Sequence, residues 1–299
     1  CNQALLEGSN VKFIATATIG FDHIDTDYCA SHGIEWRNAP GCNANSVRQY
    51  IESTLLLLNG NFFNSLKDVT IGVIGVGHVG SKVVEVAQQF GMKVLMNDPL
   101  RSQNEPCFQH TDLQVIQEQA QIITFHVPLT KEGLYPTYHL ADFSFFEHLD
   151  QKPIIINTSR GGVVDNGALL KALNNEYIQQ AVIDVWENEP HINLELLQHV
   201  FIGTPHIAGY SADGKAKASE MSLQSISDFF GLGLTIHINP PAPLSYSIQA
   251  DTYASALLQI YNPILDSTRL KENPLKFESL RGNYRVRREP SAFTIQLVK

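Results

Sequence analysis

Thr70-Ile71-Gly72-Val73-Ile74-Gly75-Val76-Gly77-His78-Val79-Gly80 is the stretch on which the fold turns. A short apolar run feeds straight into three glycines spaced G-x-G-x-x-G, and apolar residues then recur at helical spacing from 79 to 90. Strand, glycine turn and helix in that order predict a phosphate-binding βα unit. Gly75 permits the tight turn, Gly77 lets the backbone approach a diphosphate, and Gly80 lets the helix pack closely on the strand. The amides of His78 and Val79 then face the phosphates from a helix N-terminus. Asp98 ends the next predicted strand, where its carboxylate accepts from ribose hydroxyls and repels a 2′-phosphate, so the expected cofactor is NAD. The duller reading has Asp98 open a turn with Pro99 and bind nothing.

The same rhythm continues outward. Apolar strands at 70–74, 93–97, 121–125, 154–157, 181–185 and 200–202, separated by helices at 79–90, 112–119 and 166–174, predict an α/β fold with a Rossmann-like, doubly wound parallel sheet. Upstream, a strand at 11–19, a helix at 25–32 and a strand at 34–38 predict a second, smaller α/β unit, and a helix at 45–58 bridges the two. Downstream, a polar helix at 211–230 ends at Gly231-Leu232-Gly233, and Asn239-Pro240-Pro241-Ala242-Pro243 reads as a linker. Helices at 253–265 and 273–284 and a strand at 292–298 follow. The expected organisation is a substrate domain from 1–44 and 211–239, an NAD-binding domain from 45–210, and a C-terminal α/β module from 240–299. The chain begins at Cys1, and its first residues read as the end of a helix leading to a strand, so a preceding segment is expected and the substrate domain is incomplete at its N-terminus.

Composition narrows the function. With 43% apolar and 17% charged residues and no apolar run approaching ~20 residues, no membrane role is expected. A formal charge of −9 argues against a nucleic-acid partner. The charge is uneven: residues 269–299 hold 8 Lys/Arg against 3 Glu, a basic end on an acidic protein. That end is either a solvated face or a surface for something anionic. Cys1, Cys29, Cys42 and Cys107 lack both C-x-x-C spacing and disulfide-scaffold density, so a reducing cytoplasm and no metal centre are expected.

Three further motifs follow later strands: Asn157-Thr158-Ser159-Arg160-Gly161-Gly162, Asp184-Val185-Trp186-Glu187-Asn188-Glu189-Pro190 and Pro205-His206-Ile207-Ala208-Gly209. Open α/β sheets bind ligands at such strand ends. Taken singly, each Arg, Glu or His there has an ordinary reading as an ion pair, loop residue or cap. In order, and from 11 to 239, they resemble the D-2-hydroxyacid dehydrogenase family. The resemblance implies a catalytic set of Arg160, Glu189 and His206. Removing hydride from C2 while its hydroxyl loses a proton needs a base, and histidine serves both directions. Glu189 would favour the imidazolium and orient its ring, and Arg160 offers a planar fork to the substrate carboxylate. Asp184, Thr158, Ser159 and Gly209 resemble cofactor contacts.

Gly20-Phe21-Asp22-His23-Ile24-Asp25, Pro40-Gly41-Cys42-Asn43-Ala44, Tyr210 and the tail motif Asn283-Tyr284-Arg285-Val286-Arg287-Arg288-Glu289 resemble one branch of that family. The branch implies oxidation of 4-phospho-D-erythronate to 2-oxo-3-hydroxy-4-phosphobutanoate, toward pyridoxal 5′-phosphate, by a homodimer joined through the C-terminal module. It also implies substrate contacts from Thr18 and Tyr210. Val127 departs from the branch, which can carry threonine there, and leaves only a backbone contact to the cofactor. A serine of the branch expected just before Cys1 is not in this chain. Arg287 and Arg288 are expected either to receive the substrate phosphate or to form a solvated face. Other readings kept open are a 3-phosphoglycerate or lactate-like substrate, and an NAD-sensing protein that assembles without catalysing.

Overall fold

The computed structural model, which describes residues 1–298, opens with a short helix, Gln3–Leu6, followed by two short parallel strands, β1 (Phe13–Ala15) and β2 (Glu35–Arg37). The expected strand at 11–19 shrinks to three residues because its polar end bonds locally: Thr16 Oγ1 lies 2.8 Å from Thr18 Oγ1, and Thr18 Oγ1 donates to the Gly20 carbonyl at 2.7 Å. Such side-chain bonds compete with a ladder. The helix Thr26–Ser31 between the strands is capped by Asp25, which accepts from the Tyr28 amide.

The helix Ala44–Asn61 leads to the main sheet. Its regular turn ends at Leu58, because Asn59 and Gly60 leave helical geometry and Gly60 takes φ 94°. Tyr50, Ile51, Leu55 and Leu58 are fully buried, so this helix is wrapped on all sides. The sheet then forms from β3 (Thr70–Ile74), β4 (Lys93–Asn97), β5 (Ile122–Phe125), β6 (Ile154–Asn157), β7 (Gln180–Ile183) and β8 (Ile202–Gly203). All pair in parallel, in the order β4-β3-β5-β6-β7-β8. The order reverses at β3, with β4 on one side and β5 on the other, and this reversal opens a crevice at the strands' C-terminal ends.

Both sheet faces are covered. Ile123, Phe125 and Ile155 pack with Phe146 and Leu169 on one side, while Ile71, Val73 and Ile156 pack with Val83 and Leu55 on the other. Each such side chain contributes roughly 1.5–3 kcal/mol on burial. Burial on both faces explains why these strands read as unbroken apolar runs instead of alternating ones.

The helix Ala212–Phe229 returns against β1 and the helix Ala44–Asn61. Beyond the proline segment lie β9 (Ser247–Ala250) and β10 (Thr294–Leu297), a parallel pair registered Ser247 to Thr294. The single helix expected at 253–265 is two helices, Tyr253–Ile260 and Pro263–Glu272. Pro263 has no amide to continue the first, and Asn262 caps the second by accepting from the Ile264 amide. Likewise the helix expected at 273–284 is a 3₁₀ turn, Pro274–Lys276, followed by Phe277–Gly282. No helix among the described residues is long and apolar enough to cross a membrane.

Candidate active site

Arg160, Glu189 and His206 stand on turns that leave the C-terminal edges of β6, β7 and β8, three adjacent strands. At the end of β6, the buried Asn157 shapes the first turn. Its Nδ2 donates to the Arg160 carbonyl at 2.9 Å, and its Oδ1 accepts from the amide and hydroxyl of Ser159. Ser159, expected at the cofactor, is therefore spent as a brace. A Cβ on Gly161 would lie 1.9 Å from the Trp186 carbonyl oxygen, so only glycine lets the Arg160 turn press against the loop that carries Glu189.

The Arg160 guanidinium reaches back to the first α/β unit. Its Nη1 donates to the Ser159 carbonyl at 2.8 Å and its Nε to Asp22 Oδ2 at 3.3 Å. A Cβ on Gly20 would overlap Arg160 Nη2 at 1.8 Å, so the 18–22 loop that bears Thr18 lies directly on this arginine. A carboxylate thus already lies beside the guanidinium, on Nε alone.

His206 Nδ1 lies 2.8 Å from Glu189 Oε2, and Glu189 Oε1 accepts from the Trp186 amide at 2.9 Å. An ionised carboxylate only accepts, so Nδ1 holds the hydrogen and Nε2 is left for a reacting group. The His206 backbone is left-handed, φ 56°, which costs a non-glycine residue about 1–3 kcal/mol. Asp184 holds it there. The Asp184 carbonyl accepts from the His206 amide, and its carboxylate accepts from Thr204 Oγ1, the Ile207 amide and the Ala208 amide at 2.6–2.9 Å. Burial pushes the Asp184 carboxyl up, opposed by His206, the Thr204 hydroxyl and those two amides. Asp184 is 1% exposed, so its main engagement is with this loop.

The buried Arg287 holds the same loop from the tail. Its Nη2 donates to the Ala208 carbonyl at 2.6 Å and to Ser46 Oγ at 2.5 Å, and its guanidinium covers the Tyr261 ring at 4.3 Å. Arg288 is bound through two nitrogens to Asp213 at 2.9 Å. The expectation that these two arginines receive a phosphate, or form a solvated face, is corrected: one is buried and both are engaged. A Cβ on Gly209 would sit 2.3 Å from the movable end of Asn43. Tyr210 Oη accepts from Arg281 Nε at 3.0 Å.

The glycine turn fits a dinucleotide. Gly75, at φ 84°, has its would-be Cβ 2.6 Å from the His126 carbonyl and the Val127 side chain, and Gly80 has its own 1.9 Å from the Gly75 carbonyl. Gly77 faces open space, and the helix His78–Gln89 starts with no side-chain cap, so the amides of His78 and Val79 keep their donors for an anion. Asp98 Oδ2 accepts from the Val76 amide and Oδ1 from the Arg101 amide, where it caps the helix Pro99–Asn104. It both braces the glycine turn and starts the Pro99 turn, with one lone pair per oxygen to spare. Thr158 Oγ1 lies 3.5 Å from His126 Nδ1, and His126 Nε2 lies 2.9 Å from Thr124 Oγ1. Desolvation pushes the His126 ring down to about 3.

Sequence reading missed the roles of Asn157 and Asp22, and placed Arg287 at the substrate phosphate or on a solvated face instead of in the His206 loop. A polar residue closing a run of three isoleucines was a usable signal for Asn157; nothing local tells that Arg287 is buried against Ala208.

A family profile, D-isomer specific 2-hydroxyacid dehydrogenase, NAD binding domain, matches residues 46–208. Erythronate-4-phosphate dehydrogenase of Bacteroides thetaiotaomicron is 60% identical over 299 residues, covering 100% of this chain and 86% of that protein. The protein of the same name from Porphyromonas gingivalis is 44% identical over 303 residues, covering 99% and 82%. Among solved structures, D-lactate dehydrogenase of Aquifex aeolicus, complexed with NAD and lactic acid, superposes with TM-score 0.62 at 29% identity, over 74% of this chain and 76% of that one.

Proposed function

The chain belongs to the D-isomer specific 2-hydroxyacid dehydrogenase family, an NAD-dependent group of oxidoreductases, and we propose that it oxidises C2 of 4-phospho-D-erythronate to the 2-oxo acid. Relatives at 60% and 44% identity over nearly the whole chain carry the substrate in their name. The observation that carries the chemistry is the 2.8 Å pair between His206 Nδ1 and Glu189 Oε2.

In this reading Arg160 takes the substrate carboxylate by exchange with Asp22, a swap of one carboxylate for another on the same guanidinium. His206 Nε2 removes the C2 hydroxyl proton, and Glu189 stabilises the charge that the ring gains. NAD, when bound, supplies the hydride acceptor. Gly75, Gly77 and Gly80, with the amides of His78 and Val79, hold its diphosphate; Asp98 takes a ribose. Val127 and Gly209 let backbone approach it, Thr158 and Asp184 line the ring end, Ser159 acts through Arg160, and Thr18 and Tyr210 flank the substrate. These roles, and the division into 1–44 with 211–239, 45–210 and 240–299, are our assignments.

Leu244, Tyr246, Leu275 and Leu297 are exposed on the C-terminal module, which supports a homodimer joined there. The four cysteines are free, which supports a reducing cytoplasm. The deciding experiment follows reduced-nicotinamide absorbance with 4-phospho-D-erythronate, 3-phosphoglycerate and D-lactate. Preference for the first is expected. NAD binding without turnover on any of the three would replace catalysis with sensing.

A further inference from the structure

The geometry points to Lys215 and Arg281, both held at the Tyr210 ring, as the pair that receives the substrate's C4 phosphate; this rests on the substrate reading above. The starting fact is the cation inventory of the basic tail. Arg287 is buried in the His206 loop, Arg288 is committed to Asp213, and Arg269 and Arg285 share the buried Asp266. Arg281 is different. Only its Nε is used, on Tyr210 Oη, and among the described residues neither Nη has a hydrogen-bond acceptor. Its carboxylate neighbour, Glu278, is 3.9 Å away in an exposed pair of little strength.

Lys215 is placed against its local electrostatics. It sits in the first turn of the helix Ala212–Phe229, where the helix dipole disfavours a cation. The acid of that turn, Asp213, is consumed by Arg288, and Lys215 has no carboxylate partner among the described residues. Its ammonium lies 4.4 Å from the centre of the Tyr210 ring, with the Arg281 guanidinium 5.8 Å from the same centre. Burial pushes the lysine down, and the neighbouring Arg287 pushes the same way. Two cations, one with no carboxylate partner among the described residues and the other with only the weak Glu278 pair, therefore meet on one tyrosine, and that tyrosine lies four residues past His206 on the same loop.

The chemistry of the substrate supplies the missing anion. A phosphate monoester two carbons beyond C2 brings a charge near −2 and three acceptor oxygens. A guanidinium edge and a mobile ammonium suit it as fork and point charge. Tyr210 holds both near one ring, and unphosphorylated 2-hydroxy acids leave the cations without an anion, which makes the pair a source of selectivity.

Arg281→Gln and Lys215→Met, each in the full chain, separate this role from a structural one. KM for 4-phospho-D-erythronate is expected to rise 10- to 100-fold relative to KM for D-erythronate, with Lys215→Arg restoring most of the loss. Competitive inhibition by inorganic phosphate should weaken in parallel, and unchanged NAD affinity reports that the variant is folded. Equal changes for both substrates with undiminished phosphate inhibition would overturn the assignment. If the wild type ignores 4-phospho-D-erythronate, the substrate reading fails by itself. Inorganic phosphate binding to wild type against the two variants then still decides whether these cations form an anion site.

Discussion

Two histidines stand near the C-terminal ends of strands in the same sheet, His126 after β5 and His206 after β8, and both are half-buried. His126 meets only hydroxyls, Thr124 and Thr158, so nothing offsets desolvation of its charged form and the ring is held down to about 3. His206 meets a carboxylate at 2.8 Å. The same residue type, on equivalent ends of one sheet, is a desolvated neutral prop where it meets hydroxyls and a candidate proton carrier where it meets a carboxylate.

The comparison breaks most directly at His206. His206→Ala should lower kcat by roughly 10² to 10⁴ with NAD affinity retained, and wild-type turnover in that variant would remove the residue from the chemistry. Glu189→Gln preserves an acceptor for Nδ1 and subtracts only charge; a loss of about 10-fold in kcat is expected from charge-assisted bonding, and no loss would mean that geometry alone matters. At the nucleotide end, Asp98→Ala should reduce the NAD over NADP ratio of kcat/KM several-fold, about 1 kcal/mol of discrimination, and an unchanged ratio would leave Asp98 as a brace only.

The smallest effect sharpens the contrast from the other side. The folded pKa of His126 lies at about 3, below the ordinary value of 6.5, so the unfolded chain binds its proton first as pH falls. Stability from this residue is complete above 6.5 and drains between 6.5 and about 3. His126→Gln should flatten the fall of urea-unfolding free energy across that window, by up to about 1 kcal/mol per pH unit, and leave turnover nearly intact. Identical slopes would show that the neutral ring is no acid-labile element.

Much of this site was legible in the chain. The six strands were readable because sheets buried on both faces demand unbroken apolar runs, and the glycine turn because close approach of backbones leaves no room for a Cβ. Helix breaks at Pro263 and the pairing of β9 with β10 were less legible. The first is a local signal that amphipathic spacing on either side obscures; the second joins segments more than 40 residues apart.

Sequence by itself determined the fold class and the family, and marked the glycine turn and the candidates Arg160, Glu189 and His206, because each depends on residue types in a fixed order along consecutive strand ends. Only the tertiary structure decided which charges are free. Arg281, Arg287 and Arg288 look alike in a basic tail, yet one is buried against Ala208 and Ser46, one is bound to Asp213, and one keeps its outer nitrogens open. The reason is that a charge's availability is set by partners brought from remote segments, and order along the chain carries no record of that pairing.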